Sequence, residues 1–170
     1  NAKKFVLIST ISVYDNLSES HYGANRLYLE KFIEHNFHDV LIVRLPSLFG
    51  LGLKKNLIYD LIHNITDYLP HHSSEIQLYY LSNLWKDIST ALSNNISKLN
   101  ICSEPTIFSD ITNVFNFKAI DLADRPKILE NMKTKHGSLW GNNSDYLYTS
   151  KESIIHLIDY LSTISYKNKA

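Results

Sequence analysis

Two unbroken apolar runs, Phe5-Val6-Leu7-Ile8 and Val40-Leu41-Ile42-Val43, constrain this chain more than any other feature. Four consecutive strand-forming apolar residues leave no polar face, so each run suits a strand covered on both sides, as in a parallel sheet. Between them, residues 22–35 carry Leu27, Phe32 and Ile33 at helical spacing, with charged Arg26, Glu30, Lys31 and Glu34 interspersed. Ser18 and Ser20 offer helix caps just upstream. Strand, helix, strand closes as a right-handed crossover, and the chain is read as α/β.

The second run passes into Arg44-Leu45-Pro46-Ser47-Leu48-Phe49-Gly50, where Pro46 and Gly50 predict a turn. Beyond it the spacing predicts a helix over 56–68, a strand over 76–81 and a helix over 83–95 with Leu84, Ile88, Ala91 and Leu92 on one face. A brief strand is expected over 99–102 and a short helix over 108–115. A closing helix is expected over 150–164, with Ile154, Ile155, Ile158 and Leu161 inward. Residues 117–140 follow no single period. The chain holds no repeat, low-complexity tract or long Gly/Ser linker, so its pieces are expected to pack as one body.

Composition removes several function classes. In 170 residues, 17 Lys and Arg balance 17 Asp and Glu, which leaves no overall pull toward nucleic acid or an anionic membrane. No apolar run approaches the ~20 residues that span a bilayer. A single cysteine, Cys102, excludes an internal disulfide framework and a thiolate metal cluster. A soluble cytoplasmic protein with no nucleic-acid or membrane partner is the expectation. The chain opens Asn1-Ala2, its one methionine is Met132, and Lys3-Lys4 lead at once into the first run. It is expected to be a piece of a longer protein, starting just before a strand.

Three polar groups fall where a doubly wound sheet places its ligands, at the carboxyl ends of strands. Thr10 follows the first strand, Tyr22 opens the next helix, and Arg26 lies one turn further along the same face. A cation beside a phenol favours the phenolate, so Tyr22 is a candidate general acid or base, with Thr10 holding a substrate oxygen. A tyrosine packed on the sheet beside a solvated arginine accounts for the same spacing.

Phe5-Val6-Leu7-Ile8-Ser9-Thr10-Ile11-Ser12-Val13-Tyr14, then Tyr22-Gly23-Ala24-Asn25-Arg26 with Glu30, then the Val43 to Gly50 stretch, resemble in order and spacing the extended short-chain dehydrogenase/reductase family, specifically its NAD-dependent sugar-nucleotide epimerases, dehydratases and reductases. In that family a strand ends in a Ser/Thr-rich segment before a Val-Tyr pair. A Tyr-x-x-x-Lys helix follows, and the next strand runs into Arg-x-x-x-x-(Tyr/Phe)-Gly. The stretch from Tyr79 to Ile88, with Asp87, looks like the family's strand-to-helix segment bearing an Asp.

The resemblance implies the carboxyl-terminal part of a Rossmann-like doubly wound parallel sheet plus a small mixed α/β substrate-binding lobe. Residues 3–50 would supply the last strands and the catalytic helix, and residues 51–170 the lobe with its closing helices. It implies catalytic roles for Thr10, which hydrogen-bonds the reacting hydroxyl or carbonyl, for Tyr22 as acid/base, and for Arg26 in the place of the lysine that grips the nicotinamide ribose. Ser9, Tyr22, Arg26, Pro46, Ser47 and Leu48 fall to the cofactor side, Thr10 and Asn56 to the substrate side. The implied substrate is a nucleotide-diphosphate sugar and the implied cofactor NAD or NADP. A homodimer through the tyrosine-bearing helix is implied as well.

Two departures refine this. Arg26 keeps the cation but changes its shape and cannot give up its proton. Ile11 and Ser12 stand where the dehydratases carry an Asp-Glu pair, which points to an epimerase or reductase. The five glycines, Gly23, Gly50, Gly52, Gly137 and Gly141, form no glycine-rich turn for a pyrophosphate. NAD or NADP is therefore not expected to bind this chain tightly, and an amino-terminal Rossmann segment is its expected partner. A non-catalytic sugar-nucleotide-binding or scaffold domain is the alternative from another class.

Other signals carry less. His71-His72 lacks further ligands at usable spacing, so no metal site is expected. Lys133, Lys135 and His136 suit a diphosphate or a solvated basic turn. Asn56 is also a candidate helix cap. Trp85 and Trp140 are expected in the core or at a domain contact.

Overall fold

In the computed structural model, which describes residues 4–15, 20–115, 121–142 and 144–167, both apolar runs are parallel strands. Along the chain lie β1 (Phe5–Thr10), α1 (His21–Asn36), β2 (Val40–Leu45), β3 (Ser47–Phe49), α2 (Leu57–Ile62), β4 (Glu75–Ile76) and β5 (Leu78–Tyr80). Then follow α3 (Leu84–Ser93), β6 (Lys98–Asn100), β7 (Thr106–Ile107), α4 (Phe108–Val114) and α5 (Ser150–Lys167). Short 3₁₀ turns occupy Ile11–Tyr14, Leu81–Asn83 and Gly137–Trp140. Among the described residues, no helix is long and apolar enough to cross a membrane.

The main sheet has the order β1-β2-β6, all parallel. All six residues of β2 are buried, as its unbroken apolar run requires. On one face α1 lays Ile33 and Leu29 against Phe5, Leu7, Val40 and Ile42. On the other, α3 sets Ile88 and Ala91 against Leu41, Val43, Leu45 and Leu99. One crossover helix on each face is the doubly wound arrangement expected, and each buried aliphatic side chain contributes about 1.5–3 kcal/mol to it. A second core gathers Phe49, Ile58, Leu61, Ile76, Leu78, Phe108, Ile111, Leu157 and Tyr160 around the parallel pair β3-β5 and the antiparallel pair β4-β7. The division expected at residue 50 is crossed in space, because α3 and β6 return to the first sheet.

Several expectations change. The Pro46–Gly50 turn contains β3, with Pro46 in the break where no N–H is needed. The helices expected over 56–68 and 83–95 end early at Ile62 and Ser93. Asn64 (φ 55°) and Asn95 (φ 51°) take the left-handed conformation just past each end. Ile65 N donates to Asp60 O and Ile96 N to Ala91 O, the 6→1 bonds of a Schellman stop. The strand over 76–81 splits because the buried Gln77 side chain donates to Ser103 O (2.6 Å) and Met132 O (2.8 Å) and accepts from Met132 N (2.7 Å).

On α5, Leu157 and Tyr160 face inward while Ile155 and Ile158 are about half exposed, correcting the expected face. Trp85 is exposed and so is not a core residue; Trp140 is half-buried and donates to Asp87. Ser20 caps α1, accepting from Gly23 N at 3.1 Å, while Ser18 lies outside the described residues. Of the stretch without a clear period, 117–120 also lie outside them, and 121–136 run as an irregular strap before the third 3₁₀ turn.

Candidate functional site

Both β1 and β2 end on the same side of the sheet, Thr10 opposite Leu45. The chain leaves β1 into the first 3₁₀ turn, pinned by Ser12 N donating to Thr10 Oγ1 at 3.2 Å. The start of α1 approaches this turn so closely that a Cβ on Gly23 would lie 2.1 Å from Ser12 O. Only glycine allows that approach, and it brings Tyr22 beside the Thr10–Ser12 segment. The opposite wall is the passage from β2 into β3 with Lys55 and Asn56, and the 121–142 strap adds Glu130.

The result is a cleft of about 600 Å³. Ser9, Thr10, Tyr22, Arg26, Pro46, Ser47, Leu48 and Asn56, the eight residues singled out from the sequence, all line it. Tyr22 is exposed, and the Arg26 guanidinium carbon lies 5.5 Å from the centre of its ring, a cation–π contact. Thr10 uses its oxygen as an acceptor for Ser12 N, which leaves its O–H available to donate into the cleft. Ser9 is different: its hydroxyl donates to Glu30 Oε1 at 2.6 Å, so it supports the wall from behind. Asn56 makes no side-chain cap, so that alternative fails; its Nδ2 reaches Leu48 O at 3.4 Å and its φ is 91°. A non-glycine residue in that conformation at a cleft marks a place where local strain is held by its surroundings.

Sequence reasoning passed over the pair beneath the site. Glu30 is fully buried and Arg44 nearly so. Arg44 Nε lies 3.0 Å from Glu30 Oε1 and Nη2 2.5 Å from Oε2, while Nη1 donates to the Tyr14 hydroxyl. Burial pushes the Glu30 carboxyl up, but hydrogen bonds from Arg44 and Ser9 outweigh it and hold the group below its usual range. The signal was present in the sequence, since an arginine inside an apolar strand run demands a buried partner.

Glu130 was also missed. Its Oε2 accepts from Gln77 N at 2.7 Å, and burial, with the charge of Asp15 adding, pushes its carboxyl up despite that bond. Asp87 lies elsewhere: it accepts from Tyr79 Oη (2.6 Å), Tyr148 Oη (2.9 Å) and Trp140 Nε1 (2.7 Å), tying α3 to the later chain.

The basic turn does not reach the cleft. Lys133, Lys135 and His136 line a separate groove of about 710 Å³ beside β6, and Lys133 pairs with Asp145 at 2.8 Å. The His71 and His72 rings lie against each other, 3.9 Å between centres, and His71 Nδ1 lies 2.8 Å from Ser73 Oγ. Among the described residues, no group of three His, Cys, Asp or Glu is placed to hold a metal.

No family model matches the chain, and no curated protein sequence matches it. Solved structures match it in fold. It is similar to UDP-N-acetylglucosamine 4-epimerase from Methanobrevibacter ruminantium in complex with UDP-N-acetylmuramic acid, at 13% identity and TM-score 0.68, over 98% of this chain and 64% of that one. It is similar to a dTDP-4-dehydrorhamnose reductase from Clostridium acetobutylicum, at 18% identity and TM-score 0.66, over 95% and 66%. A third match is the Bordetella bronchiseptica enzyme WbmG in complex with NAD, at 14% identity and TM-score 0.61, over 94% and 60%. The chain thus has the Rossmann-like α/β fold of these epimerase and reductase structures, and it spans somewhat less than two thirds of their length.

Proposed function

We propose that this chain is the substrate-facing part of an NAD(P)-dependent nucleotide-sugar epimerase or reductase. One observation carries the reading: residues from β1, α1, the β2–β3 passage and the start of α2, chosen from the sequence, meet in one cleft at the carboxyl ends of parallel strands. The names of the matched structures, sugar-nucleotide epimerases and a reductase, support the same class.

The residues present fit the nicotinamide end of such a cofactor, with the Arg26 cation, the backbone of Pro46, Ser47 and Leu48, and an exposed phenol on one wall. A nicotinamide bound there supplies acceptance and return of a hydride. Thr10 donates its hydroxyl proton to the oxygen on the reacting carbon and fixes it toward Tyr22. Tyr22 takes the substrate hydroxyl proton as that carbon is oxidised and returns it on reduction. Arg26 holds the Tyr22 ring through its cation–π contact and supplies a positive charge beside the phenol. Glu30, Arg44 and Ser9 act one layer below, fixing α1 on the sheet and Tyr22 with it.

In the protein that carries this chain, Tyr22→Phe removes one hydroxyl and should lower turnover of a UDP-sugar by roughly 10²–10⁴-fold while leaving UDP-sugar binding in place. Retained turnover would overturn the role of Tyr22. A second reading follows from arginine in the lysine position: a sugar-nucleotide-binding domain without chemistry. It predicts binding by the unaltered protein with no hydride transfer to added NAD or NADP.

A further inference from the structure

The strap that closes the cleft is held rigidly where it carries Glu130. Glu75 N donates to Ile128 O (2.9 Å), Glu130 N to Glu75 O (2.9 Å) and Ile128 N to Ser74 Oγ (3.0 Å). Gln77 N then fixes one carboxylate oxygen of Glu130, Oε2, at 2.7 Å. The other oxygen, Oε1, has no partner among the described residues, and it is not one of the buried atoms left without a hydrogen bond. It is therefore an accessible oxygen, on a residue that lines the cleft. No cation lies within ion-pair distance of Glu130 among the described residues.

A half-buried carboxylate with no counter-charge is unfavourable in the free protein. The bond to Gln77 N explains only Oε2, and a neutral amide would satisfy it as well. What Oε1 would accept from is limited by the rest of the cleft. Arg26 and Lys55 line the cleft as well, while the charge felt by Glu130 is that of Asp15, so the strap side offers acceptor oxygens and repels an anion. A neutral ring with several hydroxyl donors fits the Glu130 side, and an anionic group fits the Lys55 side. A nucleotide-diphosphate sugar has both parts.

We infer that Glu130 is the specificity-determining residue of the cleft, its free carboxylate oxygen accepting hydrogen bonds from the hydroxyls of the sugar ring. This rests on the sugar-nucleotide reading above. The test is calorimetric titration of the protein that carries this chain, and of its Glu130→Gln variant, with UDP-N-acetylglucosamine, UDP-galactose and UDP. Glu130→Gln keeps an oxygen for Gln77 N and so turns its amide N–H₂ toward the cleft, removing the acceptor while sparing the strap. The expected result is unchanged UDP affinity and at least a roughly tenfold weaker UDP-sugar, since hydrogen bonds to a charged acceptor are worth that much. An unaltered thermal midpoint in the variant keeps folding out of the comparison. If the unaltered protein prefers a UDP-sugar to UDP and Glu130→Gln retains that preference, the inference on Glu130 falls and the sugar-nucleotide reading stands. If the unaltered protein shows no preference for either sugar over UDP, the inference falls; if it binds none of the three, the reading falls with it.

Discussion

Glu30 and Arg44 show how much of the site depends on residues that never touch the cleft's contents. Two opposite charges lie buried between α1 and β2, four residues beyond Arg26 on the helix and just before Pro46 on the strand. Removing one partner leaves the other charge buried and unpaired, which costs about 3–5 kcal/mol. Glu30→Gln and Arg44→Met should each lower the chemical denaturation midpoint accordingly, and the double variant should recover part of the loss; losses below about 1 kcal/mol would mean the pair is solvated in solution. Glu130 has the opposite sign. Its carboxyl is pushed up in the fold, so the stability it lends is complete below about pH 4.5 and is lost as pH rises through the higher folded value. Glu130→Gln should therefore hold its urea midpoint more evenly than the parent as pH rises above about 4.5. Thr10, Tyr22 and Arg26 were legible because one short stretch of sequence carries all three at fixed spacing. Glu130 was not, since its place in the cleft is set by a strap with no period and by bonds to Gln77, some fifty residues earlier.

At the scale of elements, the approach of α1 to the turn after β1 decides whether the cleft exists. Alanine replacing glycine in an ordinary helix stabilises it by about 0.5–1 kcal/mol. At Gly23 the new methyl would meet a backbone carbonyl oxygen at 2.1 Å, which cannot swing aside as a side chain can. Gly23→Ala should thus destabilise the protein by about 1–3 kcal/mol and weaken UDP-sugar binding, as Tyr22 moves off Thr10. A stabilised variant with intact binding would show that α1 sits further from the turn than described. The strand runs and the first crossover were legible because apolar continuity leaves a strand few alternatives. Helix ends were not, because hydrophobic spacing continues past Ile62 and Ser93 while the left-handed Asn64 and Asn95 stop the backbone. The split of β4 from β5 was equally hidden, resting on the buried amide of Gln77 and on partners at Ser103 and Met132.

For the whole molecule, the buried ionisable groups set a window of pH in which the fold is held together. Glu30 lies below its ordinary value of 4.5 in the fold, so its contribution is complete above about pH 4.5 and is lost as pH falls through the lower folded value. On the alkaline side, Cys102 is pushed up from 9.0 to about 12 by burial, and burial with the charge of Asp87 pushes Tyr79 and Tyr148 above their ordinary 10.0. These three favour the fold fully below their ordinary values, and that benefit is lost as pH rises beyond about 9–10. Asp87 gathers both tyrosines and Trp140, so ionising either phenol places a second negative charge against it and loosens α3 from the later chain. Urea midpoints measured across pH should form a plateau between about pH 6 and 9 and fall on both sides. Tyr148→Phe should lower the plateau by about 1 kcal/mol through the lost hydrogen bond, yet make the alkaline limb shallower and leave the acid limb as it was. Glu30→Gln should do the reverse, flattening the acid limb alone. An alkaline limb unchanged in a Tyr79→Phe, Tyr148→Phe double variant would remove the Asp87 cluster as its cause and leave Cys102 to account for it.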